Sequence, residues 1–68
     1  MNVFTAVLHR ESNLYVAECP EVGSVSQGRT IEEALHNLSE ATELYLEEVS
    51  FVPQSRALIT TFEVTANA

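Results

Sequence analysis

Thr30-Ile31-Glu32-Glu33-Ala34-Leu35-His36-Asn37-Leu38 is the stretch from which the fold can be read. A Thr followed three residues later by Glu forms a capping box, in which the two side chains satisfy amide groups that the first helical turn leaves unpaired. Thr30 and Glu33 hold those positions, so the spacing predicts a helix that begins at Ile31. Beyond it Ile31, Ala34, Leu35, Leu38, Ala41, Thr42, Tyr45 and Val49 recur at helical spacing as one apolar stripe. Glu32, His36, Glu40, Glu43 and Glu47 fall on the opposite side. The helix is expected to reach Glu48 or Val49, and Pro53 bars its continuation.

Upstream, the apolar run Val3 to Leu8 reads as a strand, and His9-Arg10-Glu11-Ser12-Asn13 reads as a hairpin loop. Leu14 to Glu18 is its partner. Cys19-Pro20-Glu21-Val22-Gly23 stops that strand, because Pro cannot donate to a ladder and Gly permits a turn. Ser24 to Gln27 reads as a short third strand, and Ala57 to Val64, after the helix, as a fourth. The expected fold is therefore α+β with the order β-β-β-α-β. It is an antiparallel three-strand meander plus a fourth strand delivered parallel to the first by a right-handed crossover, giving the order 3-2-1-4. One helix covers one face only. Yet both alternations are partly apolar: Phe4, Ala6 and Leu8 lie against Val3 and Val7 in the first strand, and Leu58 and Phe62 against Ile59 in the last. The uncovered face is expected to seek a partner. Leu44 projects toward the acidic helix face, where a lone Leu is either harmless or an interface anchor.

With 68 residues the chain has room for one core, and 46% apolar against 19% charged residues supplies the material for it. No apolar run approaches the roughly 18 residues of a membrane span, and the start lacks the features of a signal peptide. A cytoplasmic address is expected. The lone Cys19 agrees with it, since small secreted domains depend on paired cysteines. Ten Glu and three Arg, with no Asp or Lys, give a net charge of −7. Such a surface repels a polyanion, so direct nucleic-acid binding is disfavoured and a basic protein is the better partner. Charge alone fits a second reading equally well, in which the carboxylates simply keep a small domain soluble.

Gly23-Ser24-Val25-Ser26-Gln27-Gly28-Arg29-Thr30 has the spacing of a phosphate-binding loop with Arg29 in place of its Lys. The reading is rejected, because Val25 and its neighbours look like strand and the capping Glu33 puts negative charge where the anion must sit. Gly28 is instead read as permitting a tight turn into the helix. His9, His36 and Cys19 fit no metal-ligand spacing, and Cys19 reads as a small buried hydrophobe. Glu18 and Glu63 are the strand carboxylates, and solvent-facing charge is their commoner role. No catalytic, cofactor or metal residue is expected.

Three stretches together carry a resemblance. Leu14-Tyr15-Val16-Ala17-Glu18-Cys19-Pro20-Glu21, Ser26-Gln27-Gly28-Arg29-Thr30-Ile31-Glu32-Glu33-Ala34 and Glu40-Ala41-Thr42-Glu43-Leu44-Tyr45-Leu46-Glu47 resemble the N-terminal domain of HicB-like antitoxins. The resemblance spans most of the chain. It implies a cut-down ribonuclease H fold without catalytic carboxylates that sequesters HicA-like toxins, small basic ribonucleases that cleave mRNA. Two departures stand out. Val22-Gly23-Ser24-Val25 replaces the usual Leu-Pro-Gly-Cys link, and residues 1–68 are expected to form a single domain with no separate DNA-binding domain. The leading expectation is an antitoxin-like homodimer or larger assembly that neutralises such a ribonuclease. Glu40, Glu43, Leu44 and Glu47 are its partner-binding candidates. An orphan oligomerising adaptor, and a small metal-dependent hydrolase using Glu18 or Glu63, remain as alternatives.

Overall fold

The chain reverses at Ser12-Asn13, where Ser12 adopts a φ of 56°. That is the sign a type II′ hairpin requires at its first central position, and the two-residue turn matches the twist of the strands it joins. Pairing therefore runs right up to the turn. β1 (Val7–Glu11) lies antiparallel to β2 (Leu14–Glu18) from Val7 opposite Glu18 to Glu11 opposite Leu14. The first strand thus sits later than the expected Val3 to Leu8, because His9, Arg10 and Glu11 join the ladder instead of forming a loop. Arg10 stays there by lying 5.6 Å from the centroid of the Tyr15 ring, its cross-strand neighbour. β3 (Val25–Gly28) completes an antiparallel sheet of order β1-β2-β3. These features belong to a computed structural model that describes residues 3–49 and 56–66.

The helix α1 (Ile31–Val49) begins where the capping box places it. The Glu33 amide donates to Thr30 Oγ1 at 3.0 Å. The return bond goes one residue further back than in the standard box, from the Arg29 amide to Glu33 Oε1 at 2.7 Å. Glu32 and Glu33 in the first turn complement the helix dipole, whereas the last turn carries no basic residue. Gly28 has a different role from the expected turn. A Cβ there would stand 2.5 Å from the Ala34 amide nitrogen, so glycine is what lets the end of β3 touch the first turn of α1.

Register assigns the faces. Leu8, Arg10, Tyr15, Ala17, Ser26 and Gly28 share the side toward the helix, and Ala17 is fully buried there. Ala34, Leu38 and Thr42, spaced by four, are the buried residues of α1. The core is small: Ala17, Cys19, Ala34 and Leu38, with Phe4, Ala6, Leu8, Tyr15 and Val22 packed around it. Thr42 tolerates burial because its hydroxyl and that of Ser24 are hydrogen-bonded at 2.7 Å. Asn37 Nδ2 donates to the Gln27 carbonyl at 2.8 Å, a second polar tie between helix and sheet.

The architecture is α+β, a three-stranded antiparallel sheet followed by one helix. The expected fourth strand forms no ladder among the described residues. Residues 56–66 are instead an extended arm whose Leu58 is 96% and Phe62 86% exposed. Among the described residues the arm is tied at its root, where the Ala57 amide donates to Glu21 Oε2 at 2.9 Å beside Thr5, and beyond that tie residues 58–66 stay exposed instead of pairing with β1. The arm also enlarges the molecule. Its Cα radius of gyration is 14.0 Å, against roughly 11 Å for a compact chain of this length. Pro53 lies outside the described residues.

Candidate functional site

At about 100° per residue, Glu40, Glu43, Leu44 and Glu47 fall within roughly a quarter of the helix circumference, diametrically opposite the buried Ala34, Leu38 and Thr42. The four residues form one exposed strip. Leu44 is 63% exposed at its centre, with Glu40 one turn before it and Glu47 and Glu48 one turn after. Among the described residues only weak side-chain contacts restrain the strip: Glu40 lies 3.7 Å from His36, and Ser39 Oγ donates to Glu43 at 3.4 Å. Most of the carboxylate oxygens remain available to an incoming cation. Apolar area rimmed by charge is the form that protein docking sites take.

A second feature flanks the strip. Phe4, Thr5 and Ala6 form one wall of a groove of about 570 Å³, Leu35, Leu38 and Leu46 form the other, and Cys19 lies within it. Glu43 also lines this groove, so strip and groove share a border. The third feature is the sheet face turned away from the helix. Val7, Leu14, Val16 and Val25 share it with His9, Glu11, Glu18 and Gln27. Val25 is 56% exposed, and Glu18 interrupts the valine row between Val7 and Val25. The expected apolar character of the uncovered face is therefore only partial.

Glu21 is the residue that sequence reasoning missed. Its carboxylate accepts from the Thr5 amide at 3.0 Å and the Thr5 hydroxyl at 2.6 Å, and from the Ala57 amide at 2.9 Å. The Cys19 thiol also donates to it at 3.4 Å. The Thr5 hydroxyl bond above all, then the Ala57 amide, pushes the Glu21 carboxyl down to about 2. Glu21 thus ties the segment before β1, the turn after β2 and the root of the arm to one point. The turn itself is closed by the Gly23 amide donating to the Cys19 carbonyl at 2.7 Å and the Cys19 amide donating to the Ser24 carbonyl at 2.9 Å. Pro20-Glu21 marks the turn in sequence, but nothing local signals a bond to Thr5 or Ala57.

Among the described residues, His9, Glu18 and Glu63 make no hydrogen bond to this site. His9 pairs with Glu11 at 3.0 Å, and Glu18 is exposed at the end of β2. Glu63 is exposed on the arm. Cys19 is buried, and that burial pushes its thiol upward, which keeps it protonated and a poor nucleophile. Within the phosphate-loop spacing, Val25 to Gly28 lie in a β ladder, so their amides do not wrap a common centre.

Comparison with known proteins gives a family but no activity. No protein-family profile matches the chain, and no solved structure matches it. A UPF0150 protein of Helicobacter pylori is 38% identical over 68 aligned residues, covering 91% of this chain and 94% of that protein. A UPF0150 protein of Synechocystis is 46% identical over 48 residues, covering 68% of this chain and 61% of that protein. The near end-to-end match with the first of these makes the chain a member of the UPF0150 family.

Proposed function

We propose that this protein is a HicB-like, antitoxin-type inhibitor that captures a small basic HicA-like mRNA-cleaving ribonuclease in the cytoplasm through Glu40, Glu43, Leu44 and Glu47. One observation carries the reading: an exposed Leu44 among carboxylates, on the helix face opposite the core, in a chain of net charge −7. Carboxylates steer a cationic partner and an apolar anchor lengthens its stay. Covering the cationic surface with which such a toxin grips RNA is enough to silence it, so no catalytic residue is needed. The finer fold that goes with this reading is a partial ribonuclease H fold, in which residues 57–64 become a strand parallel to β1.

The test is an RNA cleavage assay with a purified basic HicA-like ribonuclease. The wild-type protein in excess should abolish cleavage. Glu40→Gln, Glu43→Gln and Glu47→Gln combined with Leu44→Ala should weaken capture by at least about 2 kcal/mol, roughly 30-fold. Unchanged cleavage with excess wild-type protein would reject the proposal.

A second reading, an adaptor that works by self-association, is favoured by the incompletely covered Val7, Leu14, Val16 and Val25 and by the exposed arm. The sheet face lies across the fold from the acidic strip, whereas the groove borders it, because Glu43 lines both.

A further inference from the structure

We propose that residues 58–64 are a strap that closes over the groove of their own chain in a register set by Glu21, and that closure braces the helix half carrying the acidic strip. The consequence for capture rests on the function proposed above, whereas the closure itself does not.

One carboxylate accepts from both the Thr5 amide, through Oε1, and the Ala57 amide, through Oε2. The two backbones are therefore two hydrogen bonds apart where each enters its extended run. Thr5 also lines the groove, so the arm's root stands at the groove of its own chain, beside the segment leading into β1. Among the described residues the outer edge of β1 is unpaired, since β1 ends the sheet.

Counting from that shared point assigns the faces. With Ala57 abreast of Thr5, Leu58, Thr60, Phe62 and Val64 fall in the same alternation as Ala6, Leu8 and Arg10, and Leu8 and Arg10 face the helix. Leu58, Phe62 and Val64 thus turn toward the groove, and Ile59, Thr61 and Glu63 turn away. A slip of one residue would send Glu63 inward and Phe62 out. The register that Glu21 holds is the one that covers apolar surface, and in the open position these three side chains are 96%, 86% and 72% exposed. Dimensions agree: Leu35 to Leu46 spans about 16 Å of helix wall, and Leu58 to Val64 about 20 Å of extended chain.

The helix lacks what the strap brings. The buried residues of α1 end at Thr42, so Glu43, Leu44 and Glu47 ride on a final stretch with no buried side chain. Leu46, partly buried on the groove wall, is the residue of that stretch turned toward the strap's seat. Apolar side chains laid against it give the last two turns a core. A helix held in place presents the strip already ordered, which lowers the entropy lost on capture. By reciprocity, a bound partner favours the closed strap.

The experiment is hydrogen exchange of the full chain, read amide by amide, together with capture of a basic HicA-like ribonuclease. Alternate amides of residues 58–64 and those of residues 46–49 should exchange at least about tenfold more slowly than in an unstructured peptide, equally at low and high protein concentration. Glu21→Gln should speed exchange at residues 58–64. Phe62→Ser should speed it in both stretches and weaken capture by about tenfold, although it alters no residue of the strip. Solvent-like exchange at residues 58–64 in the wild type overturns the strap, and protection that appears only at high concentration overturns closure within one chain. Full protection retained in Glu21→Gln overturns the register role of the carboxylate, and undiminished capture by Phe62→Ser overturns the bracing. A protected wild type that leaves the ribonuclease active overturns the proposed function alone, whereas capture by a wild type with an unprotected arm overturns the strap alone. If a variant loses its helical circular dichroism, the wild-type exchange at the two concentrations decides.

Discussion

The Thr5 hydroxyl donates a 2.6 Å hydrogen bond to the Glu21 carboxylate, joining residues 16 positions apart. With the two amide bonds from Thr5 and Ala57, it holds the Glu21 carboxyl at about 2, below its ordinary 4.5. A carboxyl depressed by folding favours the folded state fully above its unfolded value, and that share is lost as pH falls through the folded one. Stability should therefore decline between about 4.5 and about 2, and Glu21→Gln should lose much of that slope. Thermal melts in a pH series read this directly. Parallel curves for the two proteins would mean that Glu21 makes no such bonds in solution.

Gly28→Ala should destabilise the protein. Replacing glycine by alanine within a strand normally helps by about 0.5–1 kcal/mol. Here the added methyl meets the Ala34 amide nitrogen at 2.5 Å and Glu33 beside it, so β3 and α1 must separate. Overpacking of this kind costs about 1–3 kcal/mol. Urea unfolding gives the sign, and a stabilised variant would mean that strand and helix do not touch here.

Two leucines six residues apart should behave oppositely. Leu38 is buried in the core, and its truncation to Ala should cost about 2–5 kcal/mol, enough to unfold much of so small a domain. Leu44→Ala should change stability by less than about 0.5 kcal/mol while weakening capture of a basic partner. Melting curves and binding titrations on the same pair of variants separate the two roles.

Cys19 should resist alkylation in the native state. It is buried and its thiol is pushed upward by that burial, so little thiolate exists at neutral pH. Iodoacetamide labelling followed by mass should be slow for the folded protein and fast after denaturant is added. Equal rates would place the thiol at the surface.

Where the signal was local, the sequence was a good guide. The capping pair Thr30 and Glu33 gave the helix its start, and of the expected apolar stripe Ala34, Leu38 and Thr42 are buried whereas Ile31, Leu35, Tyr45 and Val49 are exposed. Leu14 to Glu18 formed the strand expected of it. β1 was misjudged because His9, Arg10 and Glu11 look like loop by polarity, yet a two-residue turn lets polar residues pair at a sheet edge. The groove and the Glu21 clamp were not legible at all. They join segments that only tertiary folding brings together, and no period or spacing encodes a bond from Thr5 to Glu21. The acidic strip was legible as a helix face, whereas its isolation from the core became visible only with the burial of Leu38 and Thr42.

The helix that ends in Glu47-Glu48-Val49 without a basic residue in its last turn carries its own mild instability. Carboxylates at the negative pole of a helix repel the exposed carbonyls, and dissolved ions screen that repulsion. Added salt should thus strengthen this protein, unlike one held together by surface ion pairs. A cationic partner resting against the same turn would do what the salt does, with the difference that it stays.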